Sequence, residues 1–248
     1  MSRTSGEHRF TGDLAQEYEL ITLAYPDFEA FQHQMIEGID FSSAGTERDV
    51  PFHLLEIGTG DGFTTTRLVQ ALLKAPGKGL ITTIDNDPNQ LSKAREHLRE
   101  EIGSGHVHLR ESDALAYLQD SPGESFDVVA TAFTLHNLET GYRREVERQI
   151  FRVLRPGGLF TNADKYAPRG QEQFDALAYQ IERFFQAFVP RGKLEILQKW
   201  VLHNISDQSP RYAMFADETL EHLEAIGFRG VEISHRSHMQ AVLRARVP

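Results

Sequence analysis

The sequence predicts an α/β fold: a doubly wound, mostly parallel sheet of seven strands ending in an antiparallel pair, with extra helices forming a lid. Three observations predict it. Short apolar runs alternate with amphipathic stretches from His53 to Asp164, the pattern of a parallel sheet with helices on both faces. A glycine-rich turn at Gly58, Gly60 and Gly62 follows the first run, where such a sheet approaches its ligand. The last two runs, 230–235 and 240–247, are joined by a connection too short for a crossover helix, so they pair antiparallel.

Each element has a local reason. After a polar tail, residues 15–39 carry apolar positions at helical spacing with a break at Pro26, which predicts two short helices. A polar loop, 40–50, precedes the first strand, 53–57, bounded by Pro51 and Gly58. The helix 63–74 turns Leu68, Ala71 and Leu72 inward, and the second strand is 79–85. Asp87-Pro88 reads as a capping residue with proline at the first helical position, opening a helix through 102. A third strand, 106–112, a short helix, 114–119, and a fourth strand, 126–133, follow. A helix from 143 ends at Pro156-Gly157, before a fifth strand, 158–164. Then the alternation stops: 171–189 and 193–205 read as two helices with no strand between them. Helix 217–228 restores the pattern. The expected organisation is an N-terminal tail and lid helices over 1–48, then a core domain over 49–248 with a helical insertion at about 166–215. Both additions are expected over the carboxyl ends of the strands.

Composition narrows the function. The 248 residues hold 26 Lys and Arg against 36 Asp and Glu, a net charge of −10, which disfavours a phosphate backbone as partner. Cysteine is absent, which removes disulfides, thiolate nucleophiles and thiolate metal sites and fits a cytoplasmic setting. There is no signal-peptide pattern and no apolar run near the roughly 20 residues of a membrane span. Neither His106 with His108 nor His235 with His238 has an acid at ligand spacing, so no metal is expected.

The chemistry concentrates around the glycine turn. Glycines there admit a tight turn and a close ligand. Asp85 ends the second strand beside that turn, where an acid can accept ribose hydroxyls. Glu56 is a carboxylate in an apolar run and needs a partner, either a ligand amine or a structural donor. The spacing is G-x-G-x-G, Phe63 stands where a dinucleotide loop has its last glycine, and Asp61 adds negative charge. This set disfavours a diphosphate and tolerates a cationic ligand.

This residue set resembles the class I S-adenosylmethionine-dependent methyltransferases, which have a Rossmann-like core. The resemblance covers about residues 53–165 and the C-terminal strand pair. It implies that Glu56, Gly58, Thr59, Gly60 and Gly62 belong to the motif around the methionine part of the cofactor. It implies that Asp85, with Asn86, binds the ribose. It implies that Asp113 and Ala114 contact the adenine, and that Thr131, Ala132 and Phe133 line the path from cofactor to acceptor. The stretches "YPDFEAF", "IDNDP", "FTLHNLE" and "KLEILQKW" are similar to a narrower group, the carboxy-S-adenosylmethionine synthases and related small-molecule methyltransferases. Those synthases draw a carboxylate from prephenate and need a cation to hold it. Trp200 stands where the resemblance leads one to expect an arginine, with Lys199, Arg191 and Arg211 as possible substitutes.

Methyl transfer needs placement, desolvation and, for a hydroxyl or amine acceptor, a base. His136, just past the fourth strand, is the candidate base; a core or helix-capping histidine is the other reading. Tyr25, beside Pro26, is a second candidate catalytic residue or an aromatic staple. Asp164, Lys165 and Tyr166, with Trp200, are the candidate substrate residues at the sheet's rim. Phe184, Phe185 and Phe188 serve core or dimer packing, or form a wall for an acceptor. The expected activity is methyl transfer from S-adenosylmethionine to an O or N of a small molecule, with a homodimer possible. The alternatives are carboxy-S-adenosylmethionine synthesis and cofactor binding without chemistry.

Overall fold

The computed structural model describes residues 21–42, 51–75 and 79–248; the expected tail, most of the first helix and most of the loop at 40–50 lie outside these. The strands are β1 (Phe52–Ile57), β2 (Gly79–Asp85), β3 (Val107–Glu111), β4 (Phe126–Ala132), β5 (Leu154–Lys165), β6 (Arg229–Ser237) and β7 (Gln240–Arg246). They form one sheet in the order β3-β2-β1-β4-β5-β7-β6. β1 to β5 pair in parallel, and β7 lies antiparallel between β5 and β6. The order reverses at β1, so a crevice opens beyond the carboxyl ends of β1 and β4, the switch point of an open sheet.

Successive side chains on a strand point to opposite faces, and the apolar runs fill both. Leu54, Ile81, Val128 and Leu159 meet Leu68 and Leu72 of α3 (Phe63–Lys74) and Met35 of α2 (Phe28–Glu37) on one face. Leu55, Ile84, Val129 and Phe160 meet Val146 and Ile150 of α7 (Thr140–Val153) and Leu223 of α10 (Ala216–Ile226) on the other.

Several boundaries differ from the sequence reading. The helix expected through 102 breaks at Leu98 into α4 (Pro88–His97) and α5 (Arg99–Gly103). No helix breaker marks the spot: Leu98 is fully buried, and its side chain packs beneath Gly62. β5 starts four residues early, because Leu154 already pairs with Phe126 before a register shift absorbs the Pro-Gly-Gly turn. Arg155 reaches back across that turn to Asp127. A single 3₁₀ turn, Leu135–Asn137, follows β4. β6 runs on to Ser237, beyond the expected end at 235.

The chain leaves β5 at Tyr166 and returns at Phe215. Ala167 bridges to Phe215, and its amide donates to the carbonyl of Met214 at 2.8 Å. Between these points run α8 (Gln171–Phe188) and α9 (Leu194–Ser206). Buried Arg143 of α7 ties the return strand down, donating to the carbonyls of Leu138, Tyr212 and Ala213 at 3.0, 3.0 and 3.1 Å. Phe184, Phe188, Ile196 and Trp200 of the insertion bury against Ala24 of α1 (Ile21–Ala24), Tyr25 and Phe28, with Phe63 and Phe133 at the edge of the cluster. Phe133 directly follows β4 and Phe63 opens α3, so these helices cover the carboxyl edge of the sheet. Among the described residues no helix is long and apolar enough to cross a membrane.

Candidate active site

The glycine turn has a conformation that its neighbours enforce. Gly58, Gly60 and Gly62 have φ of +89°, +54° and +93°, the left-handed region that costs a side chain strain. At Gly58 a Cβ would also sit 2.0 Å from Thr134 Oγ1. The amides of Gly58 and Thr59 donate to the carbonyl of Ile84 at 2.9 and 3.1 Å. Asp85 holds the next residues: Oδ2 accepts from the Gly60 amide at 2.8 Å and Oδ1 from the Asp87 amide at 2.9 Å. Each carboxylate oxygen can accept a second bond, so the same group can hold the loop and receive two hydroxyls. Burial pushes the Asp85 carboxyl up, against the pull of those amides.

These residues line a cavity of about 1200 Å³, counting its open mouth. Among the described residues, four carboxylates, Asp61, Asp85, Asp87 and Asp113, line it, and no lysine or arginine does. A diphosphate would meet repulsion here; a sulfonium or an ammonium would meet attraction. Asp113 caps α6 (Ala114–Asp120): its Oδ1 accepts from the amides of Leu115 and Ala116 and from the Tyr142 hydroxyl at 3.0, 3.1 and 2.5 Å. Burial, and then this bond, push the Tyr142 hydroxyl above its ordinary range.

One wall is aromatic. Phe28 stacks on Phe133 at 4.8 Å and 18° and meets Phe63 at 5.6 Å. Phe133 has φ +48°, a strained turn that points the chain out of β4. Gln32 accepts from the Thr64 hydroxyl at 2.6 Å beside this wall. Phe28, Gln32, Thr64, Thr134 and Tyr142 were not singled out from the sequence, and Phe63 only as standing where a dinucleotide loop has its last glycine. Phe28 and Gln32 share the inward face of α2, a signal that reads equally as core; Tyr142 gives no local signal.

Of the expected cofactor residues, Gly58, Thr59, Gly60, Asp85, Asn86, Asp113, Ala114, Ala132 and Phe133 line the cavity. Gly62 caps α3 just behind it. Glu56 and Thr131 do not line it, which corrects their expected contact. Both sit inside strands with their side chains away from the crevice. Glu56 Oε2 accepts from Thr65 and Thr83 at 2.5 and 2.6 Å. Burial drives its carboxyl up to about 7, against those two bonds.

The expected rim residues also need correction. Asp164, Lys165 and Tyr166 are buried, because β5 runs on beneath the insertion. None of them lines the cavity, and neither do His136, Tyr25 or Trp200. Asp164 Oδ1 lies 2.5 Å from His136 Nδ1; burial pushes the Asp164 carboxyl up, but the His136 side chain and the amides of Lys165 and His136 together hold it low. Lys165 Nζ donates to Asp207 Oδ2 at 2.7 Å. Burial alone would lower this lysine, but Asp207 and Tyr25 reverse the shift and keep it charged. Tyr166 accepts from Asn162 at 2.8 Å. Trp200 packs on Phe184 in the lid cluster, its ring centre 6.1 Å away.

One side-chain cluster among the described residues has a metal-like arrangement. His136, His203 and Asp207 bring ligand atoms within 4.8 Å of one another. Lys165 already neutralises Asp207 there, so the cluster is ion-paired without a cation. It is assembled from the end of β4 and from α9, and no sequence spacing announces it.

Residues 54–158 match the methyltransferase domain family. The demethylmenaquinone methyltransferase of Leptospira interrogans is 32% identical over 112 residues, 45% of this chain and 42% of that protein. The carboxy-S-adenosyl-L-methionine synthase of Yersinia pestis is 28% identical over 127 residues, 51% of this chain and 45% of that protein. The chain thus spans less than half the length of these relatives. A SAM-dependent methyltransferase from Aquifex aeolicus superposes with a TM-score of 0.59 at 16% identity, over 93% of this chain and 98% of that one.

Proposed function

We propose that this chain, a class I S-adenosylmethionine-dependent methyltransferase by its sheet order and by the methyltransferase domain at residues 54–158, moves a methyl group to an O or N of a small-molecule acceptor. The observation that carries the reading is a cavity beside the glycine turn whose lining, among the described residues, has four carboxylates and no lysine or arginine. When bound, S-adenosylmethionine supplies a methyl group already activated on a positively charged sulfur. Asp85 accepts the ribose hydroxyls, the Gly58–Gly60 backbone gives close approach, and Asp113 with Ala114 holds the adenine. Phe28, Phe63 and Phe133 keep water from the reacting end.

His136 does not line the cavity, so in this reading it is a positioning residue behind it rather than a group that touches the nucleophile. Asp164 Oδ1 lies 2.5 Å from His136 Nδ1 and fixes the ring. Asp164→Asn should therefore lower kcat and change its pH profile while leaving cofactor affinity unchanged.

Carboxy-S-adenosylmethionine synthesis is the second reading, on the likeness to such a synthase. The side chains weigh against it. Trp200 is packed in the lid, Arg211 pairs with Glu139, and Arg191 donates to the Ala187 carbonyl. None of these reaches the cavity lining. A homodimer belongs to the proposal: Phe174, Phe185, Leu194, Leu202 and Ile205 of the insertion helices are exposed apolar surface. A cytoplasmic setting belongs to it too, on the absence of cysteine.

The test is mass spectrometry of the ligand released from purified protein, then incubation with prephenate. S-adenosylmethionine or S-adenosylhomocysteine, unchanged by prephenate, is the expected result. A cofactor heavier by one carboxylate would replace this reading with the second. A chain that stays empty and binds neither compound would end both.

A further inference from the structure

Where the cavity meets the ends of β2 and β3 its lining is acidic, at Asp85, Asp87 and Asp113. Beside the start of α3 the chemistry changes. Gly60, Asp61, Phe63 and Thr64 line it there, with Phe28 and Gln32 of α2 packed against Phe63 and Thr64. The amino terminus of a helix carries partial positive charge and amides with no intrahelical partner. No side chain caps α3 at Gly62. The Phe63 amide is held by Asp61 Oδ1 at 3.2 Å, and the amides of Thr64 and Thr65 follow it in the first turn.

Gln32 adds a directed donor to this field. It is 1% exposed, yet it lines the cavity. Its Oε1 accepts from the Thr64 hydroxyl at 2.6 Å, which fixes the amide, and among the described residues Nε2 donates to nothing. A buried donor left unmatched calls for an explanation. Arg67, one turn along α3, does not line the cavity. It lies over the Phe63 ring at 3.5 Å and pairs with Glu29 of α2 at 3.4 Å. The donors at this end are therefore neutral amides.

A group bound here must accept hydrogen bonds. It must also bring its own positive charge, because four carboxylates line the same cavity and would repel a bare anion. A carboxylate with an ammonium on the next carbon is neutral as a unit, and Asp61 offers that ammonium a partner. We infer that Gln32, with the first-turn amides of α3, binds the carboxylate of an α-amino-acid group, the amino-acid end of the cofactor, and that this contact fastens the lid helix α2 to the ligand. Assigning the group to the cofactor rests on the methyl-transfer reading. Phe28 of the same helix belongs to the aromatic cluster around Trp200, so a ligand held by Gln32 bears on the lid as well as on the sheet.

The test is calorimetric titration of the full chain with S-adenosylhomocysteine and with its decarboxylated form, S-adenosyl-3-thiopropylamine, which keeps the ammonium. The parent should prefer S-adenosylhomocysteine. Gln32→Leu should weaken S-adenosylhomocysteine about tenfold or more and change the decarboxylated form by no more than about twofold. Gln32→Glu keeps an acceptor for Thr64 but adds a fifth carboxylate, so it should weaken S-adenosylhomocysteine while preserving or tightening the decarboxylated cation. It carries the test if the leucine variant does not fold. A residue that serves packing alone would weaken both ligands alike. Hydrogen exchange over Phe28–Glu37 should slow with S-adenosylhomocysteine and much less with the decarboxylated form. Equal losses for the two ligands, unchanged S-adenosylhomocysteine affinity in both variants, or equal protection of α2 would overturn the inference and leave the methyl-transfer reading standing. A parent that binds neither nucleoside would overturn both.

Discussion

Asp85 holds the glycine turn through the amides of Gly60 and Asp87, and both its oxygens retain acceptor capacity for the proposed ribose. Hydrogen bonds to a charged group are worth about 1.5–3 kcal/mol, so Asp85→Ala should weaken S-adenosylhomocysteine binding at least tenfold by calorimetry. Unchanged affinity would place the ribose elsewhere. Glu56 gives a pH prediction. Its carboxyl is near 4.5 in the unfolded chain and at about 7 in the fold. Between these values the folded protein keeps a proton that the unfolded chain has released, so stability falls as pH rises through this window and is level above it. The full effect is on the order of 3 kcal/mol. Glu56→Gln should flatten the change in urea midpoint between about pH 5 and pH 8, leaving the part due to Glu147, which burial also raises to about 7 against its arginine neighbours. Equal slopes for parent and variant would mean that Glu56 is ionised in the fold. Asp85 was legible from its position at a strand end. The burial of Glu56 was not, because the same carboxylate in an apolar run suits a ligand amine or two threonines equally well.

At the scale of elements, alternating runs located all seven strands, because burial on both faces requires continuous apolar stretches. The break between α4 and α5 was illegible, since it depends on Leu98 dropping beneath a glycine 36 residues earlier in the chain. The length of β5 was illegible for a similar reason: Asp164 and Tyr166 look like polar rim residues until the insertion is laid over them. The insertion helices hold the sheet through one aromatic cluster around Trp200. Trp200→Ala should cost about 3–5 kcal/mol in that cluster and undock α8 and α9 before the sheet unfolds. Hydrogen exchange should then rise across 171–206 with little change in β1, β4 and β5. A uniform rise would show that lid and sheet open together.

For the whole molecule, charge is the governing quantity. The net charge of −10 and the acidic cavity lining act in the same direction on a cationic ligand. S-adenosylmethionine should lose affinity as salt rises from about 0.05 to 0.5 M, because screening shortens the reach of these charges to a few ångströms. S-adenosylhomocysteine, which lacks the sulfonium charge, should lose much less over the same range. Equal salt dependence would argue that the carboxylates are neutralised by their own hydrogen bonds.

The amino-acid order alone determined the sheet, the glycine turn and the acid at the end of β2. Each follows from short-range rules: side-chain alternation, the exclusion of Cβ from a left-handed turn, and the spacing of one strand and one helix. Tertiary structure alone decided which carboxylates face the crevice and which are buried behind it. It also placed His136 against Asp164 rather than in the cavity. Those outcomes depend on side chains from distant segments competing for the same space and the same hydrogen-bond partners, and no local pattern records who wins that competition.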